Sequence, residues 1–533
     1  MSAIRALANH EADALKLGNW KVVPRSRRGR SSNGKALYVM DHHDKAVHSL
    51  PSAFREYTQT GIGADIFDAA TDVRLEIPAR SHKIIRKAWV RLLFTPTAAV
   101  TCIHPSLWFE RQEINPNGGS ADSIYNMQDS VALWAMEALM KDPNKGDGEA
   151  LGYAQDHVGN PVEYASGEQR EVLIPIHAFC QLGPLLNAQV NHGSMILNYR
   201  TRPNVESGTQ STFDVDSCSI LLEEVDVPDV VRRSYDNMMR SSVMAIQHLQ
   251  PIRQTWLNQS LATGTRKELE INVSCVAAAI VLGIRATDTP SASAGTLTAF
   301  EPLGSDGYIS LENSSGNEIY SATKVQESVV RFMQSQRWCN SAFDSTGLYM
   351  LSFSHKEPFC DVYKHGVKQG AMRFHADGSE RIVLTPGSTA GVQQIDRITL
   401  GTGAASSGSV VLHLDGAQTR PIPYDSTVAV VKQYIEELEP LRRKNVRVTV
   451  SAQFDAGTTV DVTYSDGYSS PIPISGSAEN LGTSTSLSAA VQTRGTARRA
   501  FPGDGNYRID AYFLSYFDAV AENGQIKTVK HMA

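Results

Sequence analysis

The stretch from Leu348 to Leu384 constrains this chain more than any other. LYMLSF reads as a strand, and a turn-rich passage with Pro358 and Gly366 follows it. AMRF is a second strand, Asp377-Gly378 a hairpin turn, and RIVL a third strand. The same punctuation, short strands parted by turn residues, runs through most of the chain. No regular alternation of helix and strand is present to build a doubly wound parallel sheet, so antiparallel sandwiches are the expected architecture.

At 533 residues the chain exceeds one ordinary core, which predicts two or three domains. With 41% hydrophobic and 20% charged residues it has the composition of a globular protein rather than a disordered one. A net charge of -6 gives no general argument for nucleic-acid binding. No run of 18 apolar residues occurs, so no transmembrane helix is expected. The N-terminal residues lack the apolar segment of a secretory signal. Cysteines stand at 102, 180, 218, 275, 339 and 360 with no CxxC pair. They read as reduced thiols buried in strands, with a Cys339–Cys360 bridge as the open alternative.

Residues 1–52 read as an N-terminal arm, with a short amphipathic helix over Ala3–Leu17 followed by a basic stretch carrying Arg25, Arg27, Arg28, Arg30 and Lys35. Such an arm is either solvated and disordered or a contact for nucleic acid, lipid phosphate or an acidic partner. Residues 53–230 form a first β-rich block. Val73, Leu75 and Ile77 alternate; Ile84–Phe94, Leu107–Ile114, Val172–Ile176, Met195–Tyr199 and Ser219–Val227 are strands, and Ala121–Met140 a helix. Residues 231–265 read as a linker with helical character around Asn237–Leu249. A second block takes in 266–390 and 500–533, with a helix over Ser321–Met333 and a final strand over Tyr507–Phe517. Between them, 391–499 change texture to Gly, Ser and Thr. This stretch predicts an inserted α+β domain: strand Ser409–Leu414, an Asp415-Gly416 turn, helix Asp425–Glu439, and strands Val446–Ala452 and Thr459–Tyr464.

The opening stretch resembles a segment of the double jelly-roll major capsid proteins of large DNA viruses, virophages and polinton-like viruses. There a Tyr-x-x-Ser-Phe strand precedes a Pro, a Gly and an Asn-Phe-Ser-Arg-like strand. Here Tyr349, Ser352, Phe353, Pro358, Gly366 and Phe374 fall in that order. Trp89 and Trp108 resemble the family's Trp-bearing strands. Leu173-Ile174-Pro175-Ile176-His177-Ala178-Phe179 resembles its Ile-Pro-Leu-x-Phe-Phe segment, with Pro175 and Phe179 in register. Tyr512 and Leu514 resemble its C-terminal Asn-Tyr-Asn-x-Leu strand. The likeness covers roughly residues 70–390 and 505–525. Gln369-Gly370-Ala371 and Asp510 depart from it, standing where Asn or Ser is usual. The insert is similar to small repeated domains of phage and bacterial surface proteins, through Thr419, Arg420, Pro421 and Ile422.

The resemblance implies an all-β fold: two tandem antiparallel jelly-roll sandwiches, with the small α+β domain inserted in the second. It implies a structural major capsid protein that trimerises into pseudo-hexagonal capsomers and builds the icosahedral shell of a double-stranded DNA virus. No enzymatic activity and no cofactor are implied. The expected partners are the chain itself as a homotrimer, neighbouring capsomers, and penton and minor capsid proteins. The arm would reach genome or internal membrane, and the insert, on the outer surface, a host surface. The expected location is the virion, after synthesis in the host cytoplasm and assembly there or in the nucleus.

The residues offer little competing chemistry. Asp41-His42-His43-Asp44 with His48 has metal-ligand types, but adjacent histidines on an extended segment point to opposite sides. His355, His365 and His375 have no accompanying nucleophile. No HExxH, GxSxG, P-loop or dinucleotide-binding glycine pattern occurs. Three Asn-x-Ser matches, at Asn258, Asn272 and Asn313, read as chance without a secretory signal. Two other readings stand beside the capsid one: a minor capsid or spike protein, and a β-sandwich carbohydrate-binding protein or enzyme.

Overall fold

The computed structural model describes residues 50–115, 123–127, 129–131, 162–176, 178–203, 205, 213–240, 245–286, 297, 300–304, 306–326, 347–353, 371–387, 393–401, 408–424, 426–438, 440–441, 446–454, 458–464, 468, 474–479, 487–493, 501–522 and 525–530. The basic stretch with Arg25, Arg27, Arg28, Arg30 and Lys35, the Asp41–His48 cluster, Pro358, Gly366, His355 and His365 lie outside them.

The first half opens with β1 (Ser52–Thr58), β2 (Asp72–Ile77), β3 (Lys83–Pro96), β4 (Val100–Cys102), β5 (Phe109–Asn115) and β6 (Tyr125–Met127). It continues with β7 (Val162–Tyr164), β8 (Arg170–Pro175), helix α1 (Ala178–His192), β9 (Met195–Thr201), β10 (Phe213–Asp226) and helix α2 (Asp229–Arg240). Its sheets run β1-β10-β3-β8 and β2-β9-β5-β6, while β4 and β7 pair separately. The second half contains β11 (Ala245–Leu261), β12 (Lys267–Glu270), β13 (Cys275–Arg285), β14 (Tyr308–Asn313), β15 (Glu318–Gln326), β16 (Leu348–Ser352), β17 (Met372–Phe374) and β18 (Glu380–Thr385). After an interval of other strands it closes with β27 (Gly505–Glu522) and β28 (Gln525–Lys530). Its sheets run β11-β27-β13-β16, with β17 and β28 added at the margins, and β12-β18-β14-β15.

Numbering the eight main strands of each half in chain order, both halves give the same pair of sheets, 1-8-3-6 and 2-7-4-5. All these pairings are antiparallel. The nested pairing of first with eighth, second with seventh, third with sixth and fourth with fifth is that of one long antiparallel ribbon rolled up on itself. The protein is therefore a double jelly roll.

The sequence reason is plain in the first half. β2 alternates exposed and buried residues along its whole length, with Val73, Leu75 and Ile77 inward. β3 does the same over Ala88, Val90, Leu92 and Phe94. In the second half β13, CVAAAIVLGIR, is buried at every position. A strand apolar on both faces needs cover on both faces. Cys275, Ala277, Ile280, Leu282 and Ile284 enter the core of the second roll. Val276, Ala278, Ala279 and Val281 belong to a core continuous with that of the first roll. β27 divides the same way: Ile509, Ala511 and Phe513 face inward, and Tyr512, Leu514 and Tyr516 face the first roll.

Between β18 and β27 lie β19 (Ile395–Leu400), β20 (Ser409–Leu414), β21 (Ala417–Gln418), β22 (Ile422–Pro423), helix α3 (Val428–Glu436), β23 (Val448–Val450), β24 (Thr459–Tyr464), β25 (Ser475–Glu479) and β26 (Leu487–Thr493). They enclose a third core of their own, including Ile398, Leu412, Val431, Ile435 and Val460. Thr427 caps α3, its hydroxyl accepting from the Val430 amide. Within this core the Tyr464 hydroxyl donates to buried Asp396 at 2.8 Å, and the Ile474 amide donates to the same carboxylate.

Several expectations are corrected. The helix expected from Ser321 is strand β15 as far as Gln326, because pairing with Tyr308 and Ile309 of β14 outweighs helical spacing. The helix expected from Ala121 begins only after strand β6, whose Tyr125 pairs with Ile114; Ser130 and Val131 are helical and 132–140 lie outside the described residues. The stretch 231–265 forms most of α2 and all of β11, the first strand of the second roll. Helix α1 was not expected; Gly183-Pro184, a pair that ordinarily interrupts a helix, lies within it. Burial of Leu182, Leu185, Leu186, Ala188 and Val190 holds it helical around Pro184.

Gly347, just before β16, has a φ of 62°, and a Cβ there would stand 2.5 Å from the Glu301 carbonyl oxygen. Replacing Gly347 by Ala is expected to cost about 1–3 kcal/mol in backbone strain alone, read as a lower denaturation midpoint with the slope unchanged.

Candidate functional site

The sequence-selected residues divide between cores and one surface. Trp108 is fully buried; its Nε1 donates to the Ile103 carbonyl at 2.9 Å, and its ring meets Phe67 and Phe94 edge-on at 5.4 and 5.5 Å. Phe179 is buried in the first turn of α1. Tyr349 is buried in β16, and its hydroxyl accepts from the Leu303 amide at 2.7 Å, tying the strand to the loop before β14. Ser352 pairs with Ala279 at the end of β16. Phe353, Phe374 and Phe513 make a chain of tilted and edge-on rings at 5.8 and 5.3 Å in the second core. Tyr512 and Leu514 are buried on the face of β27 that meets the first roll. Trp89 and Pro175 are different. They are register partners on the outer face of the first roll, both only half-buried.

The junction between the rolls holds a charge cluster that sequence reading missed. Asp510, completely buried, accepts from Thr255 at 2.7 Å and from Arg508 Nε at 3.0 Å. Arg253 and Arg285 stand 3.4 and 3.5 Å from its carboxylate. Arg253, at the start of the second roll, also hydrogen-bonds Asp129 of the first. Next to them Arg202 donates to Ser130 at 3.0 Å and to the Leu107 carbonyl. Burial holds the Arg202 guanidinium below its ordinary pKa, against the pull of Asp129 and Glu110. Burial works against the Arg253 charge too, but Asp129 and Asp510 outweigh it and raise its pKa. The Arg285 guanidinium also lies over the Phe300 ring at 4.4 Å. Phe300 reaches that position because β13 carries Gly283, where a Cβ would fall 2.4 Å from the ring. The only sequence signal was negative: Asp510 in place of the family's usual Asn.

The outer face of the sheet β1-β10-β3-β8 carries cross-strand ion pairs. Arg91 bonds Glu56 at 2.7 Å and Glu171 at 2.8 Å, and Arg86 bonds Glu223 at 3.1 Å. Ser219 and then Arg91 hold the Glu56 carboxyl below its ordinary value. Burial pushes the Cys218 thiol up to about 12, which disfavours the thiolate. Cys102, Cys218 and Cys275 are buried. Among the described residues no group of His, Cys, Asp and Glu is arranged to hold a metal ion, and no helix is long and apolar enough to cross a membrane. A depression of about 280 Å³ on the outer face of β2, β5 and β9 is lined by Arg74, Arg111, Arg200, Asp72 and Glu113. It is a mixed-charge surface, unlike the apolar concavities that bind small molecules.

No family model matches the chain, and no curated protein matches it in sequence. Among solved structures it is similar to a chain of the quasi-atomic PBCV-1 virus capsid, at 10% identity over 91% of this chain and 98% of that chain, with a TM-score of 0.46. It is similar to a chain of the Sputnik virophage, at 8% identity over 91% and 89%, with a TM-score of 0.38. It is also similar to the mavirus major capsid protein, at 10% identity over 91% of both chains, with a TM-score of 0.38. The assignment of the fold rests on the strand order of the chain itself.

Three outcomes test the roles of these residues. Asp510→Asn leaves three arginines around a neutral side chain, and is expected to destabilise the protein by about 3–5 kcal/mol in urea unfolding. Tyr349→Phe strips the Leu303 amide of its acceptor and should cost about 1–3 kcal/mol. Because the folded pKa of Glu56 is depressed, its contribution is complete above the ordinary 4.5 and is lost as pH falls through the folded value. Glu56→Gln should therefore show a smaller drop in Tm than the parent between about pH 6 and about pH 3.

Proposed function

We propose that this chain is a structural major capsid protein, a shell subunit of a double-stranded DNA virus. The observation that carries the reading is the repetition of one jelly-roll strand order in a single chain, with the two rolls joined through a shared core. Fold alone does not assign function. The ordered motifs of Trp108, Pro175, Phe179, Tyr349, Ser352, Phe353 and Tyr512 add the second support, and most of them serve packing, as a structural role requires.

A subunit made of two side-by-side rolls yields a six-lobed ring when three copies associate by closed symmetry, and such a ring tiles a shell. In this reading residues 53–230 are the first roll, 266–390 and 500–533 most of the second, and 391–499 an inserted domain. The insert leaves the second roll between its seventh and eighth strands, where a loop extends without disturbing the sandwich. We place it on the outer surface, available to host surfaces or decorating proteins. Neighbouring capsomers, penton and minor capsid proteins are the other partners, and the basic arm is the inward contact to genome or membrane. The protein acts in the virion, without catalysis.

Light scattering of the purified chain should give about three times 58.2 kDa, unchanged on dilution. A monomer at all concentrations would reject the reading and turn attention to carbohydrate binding. Deleting residues 1–35 should preserve the trimer, at three times the shortened chain's mass, and impair particle formation. Normal shells from the deleted chain would remove the arm from assembly.

A further inference from the structure

The two rolls are equivalent strand for strand, but one face is more fully covered in one than in the other. In the second roll the outward face of the sheet is buried on β27, β13 and β16, with Val281, Met350, Tyr512 and Leu514 in the core shared with the first roll. The equivalent face of the first roll, on β1-β10-β3-β8, is only partly buried among the described residues: Ser219 and Glu223 are buried, Trp89, Leu173, Leu221 and Pro175 are half-buried, and Phe54 is exposed. Phe54 on β1 is 63% exposed, more than any other large apolar side chain among the described residues. It packs on Trp89 with ring centroids 6.1 Å apart, and Leu221 and Pro175 beside Trp89 are half-buried.

The surroundings of this patch have the pattern of a contact surface. Arg91 with Glu56 and Glu171 lies along one side, and Arg86 with Glu223 along the other. The apolar centre is thus framed by charges that already satisfy one another, an arrangement common to protein interfaces. A solvated outer sheet face carries polar residues instead, and an exposed aromatic on an edge strand invites association.

The intrachain contact identifies the occupant. Within one chain, the first roll covers this face of the second. Repeating the same roll-to-roll relation places the second roll of another copy over the equivalent face of the first. A head-to-tail contact of this kind closes into a ring when the rotation permits.

We propose that the patch of Phe54, Trp89, Leu221 and Pro175 is the seat for the second roll of a neighbouring copy of this chain. The inference rests on the capsomer reading above and names its contact surface.

The test uses the full chain and its Phe54→Asp variant, compared by light scattering and thermal melting. With the parent multimeric, the variant is expected to be monomeric, with a Tm within a few degrees of that of the dissociated parent. A variant that assembles like the parent overturns the patch and leaves the capsomer reading intact. A monomeric parent rejects the capsomer reading itself and this contact with it. If the variant fails to fold, a photo-crosslinking phenylalanine analogue at position 54 decides. In mixed heavy- and light-isotope chains, its crosslinks should join different copies and end in residues 266–390 or 500–533. Crosslinks to residues 1–49 of the same chain would overturn the proposal.

Discussion

A sheet buried on both faces governs this molecule. β13 and β27 carry apolar residues at successive positions, so neither face can be left to water. One face closes the second roll, and the other requires a second body of matching shape, which the first roll provides. Exposing that second face would cost about 25 cal/mol for each Å² of apolar surface released to water. The side-by-side placement of the rolls follows from this requirement, and so does any assembly built from the pair.

The charges at the same junction set its register rather than its strength. Asp510, Arg253, Arg285 and Arg508 gather where Asp129 arrives from the first roll. Removing such groups from water is costly, and their attraction returns that cost only in the right geometry. A slipped junction would take the buried Asp129 of the first roll away from Arg253 of the second. Apolar packing alone tolerates sliding; the buried carboxylate does not.

Much of this was legible in the sequence, for local reasons. Alternation in β2 and β3 and the continuous apolar run in β13 come directly from which faces are buried. The α3 helix announced itself by its apolar stripe over Val431 and Ile435, with Thr427 as the cap. The failures were all cases where distant pairing outweighed local preference. β15 is a strand because β14 lies beside it, and α1 survives Pro184 because its leucines are buried. β11 starts the second roll where a linker was expected, its polar and apolar residues making sense only against β27. The charge cluster was illegible because its members are separated by more than three hundred residues, from Asp129 to Asp510. Phe54 could not be singled out, since a strand aromatic is ordinarily buried and only its 63% exposure in the folded chain makes it unusual.

Electron microscopy of the purified, full-length protein tests the central claim most directly. The account predicts three-fold particles of six-lobed outline, two lobes from each chain, with three projections where the inserted residues leave the second rolls. Single two-lobed particles, or open-ended fibres, would contradict it.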